Sequence, residues 1–246
     1  GIIWFFFWNK NVTSYPRDHK KISSEELNYI ENNAPASEAI TQIPLSKLLS
    51  NLPFIAIIVA TFANNWSLLV FLSFLPKFVD NELGVDLSSG SFLVLIIIPS
   101  IVSVIALNLG GYIADTLIKK GYKVIKVRKS ANSIGFFGSA ACLFTIPFLN
   151  DVYTIIGLIC MTNIFTGAAA GGFGVNHADL GPKSTGTLVG IASTLGTAAG
   201  VLGNIISGIV LDLTQSWTLV FFIAAGLLVF GGFFYLLFAS DKKQFD

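Results

Sequence analysis

One stretch decides the fold of this chain: Gly110–Lys129, which reads GGYIADTLIKKGYKVIKVRK. It contains six basic residues and one acid, Asp115, and it is the only long polar interruption in a chain that is otherwise apolar from Leu52 to Ala239. The runs on either side are long enough to cross a bilayer, which takes about 20 apolar residues in a helix. Loops dense in Lys and Arg between two spanning helices stay on the cytoplasmic face. The stretch therefore predicts both a membrane fold and its orientation.

The composition is typical of an integral membrane protein. The mean hydropathy is +0.73, and 53% of the residues are hydrophobic while 12% are charged, whereas about 25% of the residues of a soluble domain are charged. No nucleophile, acid–base pair or cofactor motif stands out, so the sequence predicts no enzyme and no cofactor. The histidines, His19 and His177, lack cysteine partners at ligand spacing, so no metal site is expected. Cys142 and Cys160 lie in apolar runs and are interpreted as small buried hydrophobes rather than a disulfide.

Six spanning helices are predicted after Leu52. Each has a length of about 17–25 residues, which is what a bilayer core requires. The opening residues 1–8 are apolar but too short to span a bilayer, so they are interpreted as the end of a spanning helix that begins before this chain, which makes the chain a fragment. The six predicted spans are Pro53–Leu75, Ser91–Ile113, Ser130–Leu149, Tyr153–Val175, Thr187–Leu211 and Trp217–Ala239.

Basic residues alternate between the two sides of this series. The second connection is the basic stretch, and the fourth connection and the tail contain further lysines, whereas the third and fifth connections contain no base. Together with the bases that precede the first span, all of them except Lys77 fall on one side, which is cytoplasmic by the positive-inside rule. The segments predicted to be cytoplasmic are residues 9–52, residues 114–129 and the tail 240–246.

Residues 9–52 are predicted to form a polar central loop with short helices. Ser23 and Glu26 have the spacing of a capping box, which predicts that a short helix begins there. The leucines that follow Pro44 share one helix face, which indicates a short helix lying on the membrane surface. For residues 31–42, a solvated linker is equally compatible with the sequence.

The spans differ in composition, and the differences predict their surroundings. The third and sixth spans have no charged residue and could face lipid, whereas the fifth is rich in glycines, several of them four apart, and the fourth has a small-residue patch at Gly167–Gly174. Such spacing lets helix backbones approach closely. Asn64, Asn65 and Trp66 lie near the middle of the first span, where polar groups are costly against lipid and face protein or a water-filled path. This mixture indicates half of a transporter built from repeats.

Three segments carry a resemblance to a known family. Gly110–Asp115 with residues 127–129 is similar to a G-G-x-x-A-D…V-R-K loop, Gly174–Pro182 to a G-x-x-N-H-x-D-I-A-P stretch, and Phe238–Ser240 to a terminal L-F-A-x-G-x-x-Q. The chain resembles the C-terminal half of a major facilitator superfamily transporter. Within that superfamily it looks like the anion–cation symporter family, which includes vesicular glutamate transporters, sialin, type I sodium–phosphate transporters and plant plastid anion transporters.

The resemblance implies a fold and a domain organisation. The fold is an all-α membrane protein, the C-terminal six-helix half of the 12-helix major facilitator fold. Residues 1–8 would then be the end of helix six, and residues 53–239 would be helices seven to twelve.

The chain departs from the family pattern at three positions. Gly181 stands where the family usually has Ala, and Lys183 where several members have Arg. Asn64 stands where glutamate-type members have an Arg, which argues against a glutamate-type substrate.

Three charged residues, Asp115, Arg128 and Asp179, are assigned to gating. Asp115 ends a span beside the basic stretch, so its carboxylate is expected to pair with Arg128 or with the N-terminal end of the fifth span; a solvated helix-end acid is the alternative. Asp179 follows Asn176 and His177 where the fourth span stops, and the glycines there predict an irregular helix end that lines a cavity. Because His177 titrates near neutral pH, a proton-linked gate is one interpretation, and a simple connecting turn is the other.

The predicted substrate pathway consists of Asn64, Asn65, Trp66, Asn176 and His177. The amides of Asn64 and Asn65 would donate hydrogen bonds to an anion in a central cavity. The alternative for both is interhelical hydrogen bonding, which is worth about 0.6 kcal/mol on average in membranes.

The predicted function is secondary transport of a small anion, inorganic phosphate or an organic anion, by alternating access and driven by Na⁺ or H⁺. The expected partners are the anion, the coupling ion, the lipid bilayer and the N-terminal half of the same transporter, where the resemblance places the principal charged substrate residues; no nucleic acid is expected. The alternative is a truncated, non-transporting membrane protein that acts as a partner or scaffold.

Overall fold

The computed structural model describes residues 1–33, 43–84 and 90–245, and for residues 33, 83 and 90–96 it describes the backbone. The described residues are 82% helical and contain no strand. They form two compact units, residues 1–41 and residues 42–246.

The first unit contains two short helices, α1 (Ile2–Asn11) and α2 (Ser24–Asn33), with a 3₁₀ turn at Pro16–Asp18 between them. Ser23 Oγ accepts a hydrogen bond from the backbone N–H of Glu26 (3.1 Å), so the predicted cap of α2 is confirmed. That residues 1–8 end a longer spanning helix stays a prediction, and residues 34–42, where helix and linker were both left open, lie outside the described residues.

The second unit contains the six helices that are long and apolar enough to span a bilayer, as the sequence predicted. Two short helices accompany them, α3 before the first and α8 between the fourth and fifth. The helices are α3 (Leu45–Leu49), α4 (Leu52–Leu83), α5 (Gly90–Lys119), α6 (Val124–Thr145, continued by a 3₁₀ turn at Ile146–Phe148), α7 (Val152–Ala170), α8 (Asn176–Leu180), α9 (Thr185–Thr214) and α10 (Trp217–Phe238).

Several helices extend beyond the predicted spans. α4 continues past Pro76, which was expected to begin a loop. α5 ends at Lys119 and α6 begins at Val124, so within the basic stretch only Lys120–Lys123 is a turn. The prediction that residues 114–129 form a loop is therefore wrong. Hydropathy marks where a helix leaves the apolar layer rather than where it ends, and long Lys side chains reach water from a continuing helix.

α10 lies at the centre of the bundle, between α4 and α6. α4 also packs on α9, α6 on α7, and α7 on α5, which gives the lateral order α9, α4, α10, α6, α7, α5. Part of the core consists of rings packed edge to face: Phe78 contacts Trp217 and Phe221 with centroid distances of 5.4 and 5.1 Å.

Glycines lie at close contacts between helices, as their spacing predicted. Gly196, Gly200 and Gly203 of α9 face side chains of α4, whereas Gly190 on the same helix faces open space. Gly167 of α7 packs against the backbone of α5. Because lipid provides no hydrophobic drive for association, this close packing holds the spans together.

The third and sixth predicted spans, which could face lipid, are found in α6 and α10. Each of these helices buries one face, with Phe136 and Tyr235 at 1% and 0% exposure, and exposes apolar side chains on another, with Ile134 and Phe233 at 57% and 54%. One expectation about helix surroundings needs correction. In the leucine-rich segment, Leu48 turns into the core while Leu45 and Leu49 are exposed, so these leucines do not share one surface.

Candidate functional site

Arg128 lies at the end of the bundle that carries the Lys120–Lys123 turn, called here the basic end. Its Nε donates a hydrogen bond to Oδ2 of Asp179 (2.9 Å), and its Nη1 donates to the carbonyl of Gly171 (3.0 Å). The Arg128 side chain is 9% exposed and that of Asp179 is 18% exposed. Removal of either partner would leave a largely buried charge without compensation, which is far more costly than loss of a surface ion pair.

Asn176 extends this ion pair into a network. Its Nδ2 donates to Oδ2 of Asp179 and to the carbonyl of Ser240, both at 3.0 Å, and its Oδ1 accepts from the Tyr235 hydroxyl at 2.9 Å. Asn176 and Tyr235 are fully buried. Polar contacts therefore join α6, α8, α10 and the segment after α10. This group, the Arg128 network, comprises Arg128, Gly171, Asn176, Asp179, Tyr235 and Ser240.

Glycines after α7 bring the backbones close enough for the network to form. α7 ends at Ala170, and turns lead from there to α8, as the glycine-rich sequence predicted. A methyl group on Gly172 would lie 2.7 Å from the Arg128 carbonyl oxygen, and one on Gly171 would lie 2.8 Å from the Gly110 carbonyl oxygen. Side chains at these two positions would push α6 and α5 away from the end of α7.

Tyr235 is the member of the network that the sequence analysis missed. It lies in the span FFIAAGLLVFGGFFYLLF, where a tyrosine among phenylalanines reads as one more aromatic residue. The feature that distinguishes Tyr235 from the phenylalanines is its hydroxyl, because a buried Tyr O–H needs a hydrogen-bond partner and so indicates a polar contact.

His177 lies on α8 with 5% exposure. Neither ring nitrogen meets the geometry of a hydrogen bond. Burial lowers the pKa of His177 below its usual value, an effect that the Gly174 backbone partly opposes. The neutral imidazole is therefore favoured near neutral pH, and a proton-linked gate at His177, which stays a prediction, must act against this burial.

Asp115 is exposed on α5, while the preceding residue, Ala114, is buried. The expected pairing of Asp115 with Arg128 is not found: in the described part of the chain, the Arg128 guanidinium binds Asp179 and Gly171. The pairing was expected because Asp115 and Arg128 are close in the sequence. In the structure, Arg128 lies near the start of α6 and its side chain points toward Asp179 of α8.

Asn64, Asn65 and Trp66 of the predicted pathway separate onto two faces of α4. Asn65 and Trp66 face α9, beside Gly196 and Gly203 respectively. Asn64 lines a cleft between α4 and α7, and its Nδ2 lies 3.5 Å from the Asn65 Oδ1, the limit of a hydrogen bond. Asn176 and His177 lie at the basic end, so the five pathway residues do not form one site.

The cleft is uncharged, and both polar and apolar side chains line it. It continues as an open groove of about 260 Å³ between α4, α5 and α7, and no charged side chain is among the described residues that line either part. This neutral cleft is defined by Asn64, Ser67, Thr162, Asn163 and Thr166.

Most hydrogen-bond donors of the neutral cleft already have partners. Thr162 and Thr166 donate to carbonyls one turn earlier in α7 (both 2.9 Å), and Asn163 Nδ2 donates to the Pro99 carbonyl of α5 (3.1 Å). The side-chain oxygens keep free acceptor capacity. Such a surface can orient a ligand by hydrogen bonds but cannot neutralise its charge. The sequence analysis missed Asn163 and the two threonines. The signal was available in the sequence, because polar residues at positions 162, 163 and 166 fall on one face of a helix.

Metal binding has no support in the described residues, which contain no cluster of His, Cys, Asp and Glu that could hold an ion. Cys142 and Cys160 are free thiols.

Comparisons with known proteins cover the entire chain. It is 34% identical over 249 residues to an Arabidopsis thaliana protein named "Ascorbate transporter, chloroplastic", with 100% of this chain and 45% of the relative covered. It is 32% identical to the Arabidopsis "Sodium-dependent phosphate transport protein 1, chloroplastic", covering 100% of this chain and 48% of that protein. It is also 32% identical to human "Sialin", covering 99% and 50%. The chain spans about half the length of these curated relatives.

These relatives are of the kinds that the sequence resemblance named, and the six spans match a six-helix half of the major facilitator fold. Residues 2–150 match the sequence profile of the Organic Anion Transporter Polypeptide (OATP) family. The chain is a multi-pass membrane protein that belongs to the Organic Anion Transporter Polypeptide family.

Proposed function

We propose that this chain is one half of a secondary transporter for a small anion, which works by alternating access together with a second half. The observation that carries the proposal is the neutral cleft: polar side chains of the two spanning helices α4 and α7 line it, and it adjoins an open groove that also borders α5. Polar groups at membrane depth are costly against lipid and mark substrate paths. The names of the relatives, which refer to ascorbate, phosphate and other anions, support the anionic substrate.

The substrate is inorganic phosphate or a monocarboxylate-type organic anion rather than glutamate. Asn64 offers neutral donors and an acceptor, whereas an Arg would offer a fixed charge and a planar fork of donors. A dicarboxylate would lack one of its two charge partners in this cleft, while a singly anchored anion can rely on a cation from the other half. Na⁺ or H⁺ drives the transport; a relative named as sodium-dependent favours Na⁺.

In this proposal the basic end faces the cytoplasm, and Arg128, Asp179 and Asp115 close that side. Arg128 and Asp179 hold α6 and α8 together, and the exposed carboxylate of Asp115 is available to a neighbouring helix end when the halves move. Asp115→Asn in the full-length protein is expected to lower uptake while membrane insertion is retained.

Uptake of labelled phosphate, sialic acid and glutamate by the full-length protein in vesicles tests the proposed function. We expect uptake of phosphate or sialic acid above that of glutamate, and Asn64→Arg is expected to shift preference toward the dicarboxylate. Absence of uptake of any anion by a correctly inserted protein would favour the non-transporting alternative. Efficient glutamate uptake by the unmodified protein would show that Asn64 does not set selectivity.

Orientation is tested by labelling single cysteines with a membrane-impermeant reagent. A cysteine at Lys123 should react from the cytoplasm, and one at Asn150 from the other side; both positions are exposed. Ser184 is a poor probe because it is 6% exposed. Reaction of both cysteines from one side would refute the proposed topology.

A further inference from the structure

The segment that follows α10, residues 240–245, lies across the basic end; we call it the strap. The backbone N–H groups of Gln244 and Phe245 both donate to the carbonyl of Leu180, the last residue of α8 (2.7 and 3.2 Å). Oδ2 of Asp241 accepts from the backbone N–H of Ile125, in the first turn of α6 (3.2 Å). The strap therefore binds both α6, which carries Arg128, and α8, which carries Asp179.

A second set of contacts anchors the strap to α4. Gln244 Oε1 accepts a hydrogen bond from Nδ2 of Asn51, the residue that caps α4 (3.0 Å). Phe245 is 2% exposed, and its ring packs edge to face on Phe54 with a centroid distance of 5.9 Å. A solvated tail would not bury an aromatic ring in this way, because ordering a chain segment costs conformational entropy that only such contacts offset.

Gly181 permits the close seating of Phe245. A methyl group on Gly181 would lie 2.9 Å from the Phe245 carbonyl oxygen and 3.1 Å from a Leu188 methyl. The tight seating of the strap therefore depends on the absence of a side chain at Gly181.

We infer that the strap is a positioning element for the Arg128–Asp179 ion pair, with Phe245 as its anchor. Through Leu180 and Ile125 it presses α8 against α6, and through the Ser240 carbonyl it holds Asn176, whose amide also binds Asp179. Loss of the anchor releases α8 from α6 and opens the basic end. The inference rests on the proposed role of this ion pair in closing the cytoplasmic side.

A buried reporter on α6 can measure this opening. Asn132 lies one turn after Arg128, is 0% exposed and packs against Gly172. In the full-length protein with its other cysteines replaced, Asn132→Cys should react slowly with a maleimide applied from the cytoplasmic side. Phe245→Ala is expected to raise this labelling rate by about fivefold or more, as loss of a residue coupled to the network would. Gly181→Ala should raise it less, and Phe245→Leu, which refills the pocket, should restore it.

Lys242→Ala is the matched control, because its side chain is exposed within the same segment. The decisive comparison is the double variant with Asp179→Asn. If the strap acts through the ion pair, Asp179→Asn alone opens the basic end and Phe245→Ala adds nothing to it. The inference would be overturned if the two changes multiplied each other's effect on the labelling rate, or if Phe245→Ala left the labelling rate unchanged. If Phe245→Ala does not fold, Gly181→Ala takes its place in the test.

The readout separates this inference from the proposed function. Labelling requires no substrate, so a protein that fails to take up any anion but shows the expected pattern would refute transport and retain the strap. Normal anion uptake with labelling rates that no strap variant alters would refute the strap and retain transport.

Discussion

The Arg128 network and the neutral cleft both place polar groups inside an apolar bundle, but they are built in opposite ways. In the network, a nearly buried ion pair is joined by a buried amide, a buried phenol and two backbone carbonyls, and each of these groups has a partner. In the cleft, the side chains are uncharged and half-buried, and Asn64 makes one bond at the limit of hydrogen-bond distance. Satisfied groups stabilise one arrangement of helices, whereas unsatisfied acceptors are available to a ligand.

This difference suggests a division of labour within the half-bundle. Charge is costly at low dielectric unless it is paired, so the charged network fits a role in holding helices at the bundle end. Neutral hydrogen-bonding groups cost less while empty, so they can line a path that is alternately filled and vacated. Variants of the network should therefore change stability, and variants of the cleft should change selectivity.

The largest effect is expected from Asp179→Asn, which leaves the Arg128 guanidinium largely buried and unpaired. The free energy of unfolding should fall by about 3 kcal/mol, the lower part of the range for a broken buried pair because Asp179 is partly exposed. Thermal unfolding of the purified full-length protein measures this change. The control is Lys126→Gln, at an exposed base on α6, the helix of Arg128, and it should leave the midpoint unchanged. Equal midpoints for the two variants would contradict a structural role for the ion pair.

A second effect, about 2 kcal/mol of destabilisation from overpacking, is expected for Gly196→Val. The new side chain would collide with Asn65 and Thr61, since even a methyl group there lies 2.6 Å from the Asn65 Nδ2. Gly190→Val adds the same residue on the same helix where the position is open. Comparable loss of stability in both variants, measured by thermal unfolding, would show that helix propensity and not the α4–α9 contact is responsible.

His177 gives a smaller, pH-dependent effect. Because burial lowers its pKa in the folded state, the unfolded chain binds a proton more readily, and stability falls as pH drops below the ordinary value of about 6.5. The loss should grow as the pH falls further below that value, because only the unfolded chain then gains the proton readily. His177→Gln should remove this part of the pH dependence, and His19→Gln should not. A pH profile of thermal unfolding that His177→Gln leaves unaltered would contradict the burial of a neutral imidazole.

The number of spans and the capped start of α2 could be predicted from the sequence, because hydropathy and capping are local properties. The ends of the helices could not, as Pro76 and the basic stretch illustrate: a spanning helix continues wherever its backbone bonds can be made, even after its apolar run ends. The glycine contacts could be predicted only in part. The spacing identifies a face that can pack closely, but it does not identify which glycines contact another helix, as the packed Gly196 and the open Gly190 show.

For the candidate site, the sequence predicted several of the residues but not the contacts between them. Arg128, Asn176 and Asp179 were identified, but the sequence paired Arg128 with Asp115, which lies nearer in the chain than Asp179. A turn at Lys120–Lys123 and the short α8 decide that choice, and both depend on tertiary packing. Tyr235 and the strap were missed because their roles arise from contacts with residues about 60 to 190 positions away.

The smallest effect on stability, and the most direct test of the division between the two regions, is expected for Asn64→Ala. In one preparation of the full-length protein, thermal unfolding and uptake of phosphate and a hydroxylated monocarboxylate are measured for Asn64→Ala and Asp179→Asn. We predict that Asn64→Ala shifts the free energy of unfolding by less than about 0.5 kcal/mol but changes the ratio of the two uptake rates. Asp179→Asn should lower the unfolding midpoint and reduce both rates in proportion. A change of ratio in Asp179→Asn with no change of midpoint, or an unchanged ratio in Asn64→Ala, would contradict the account.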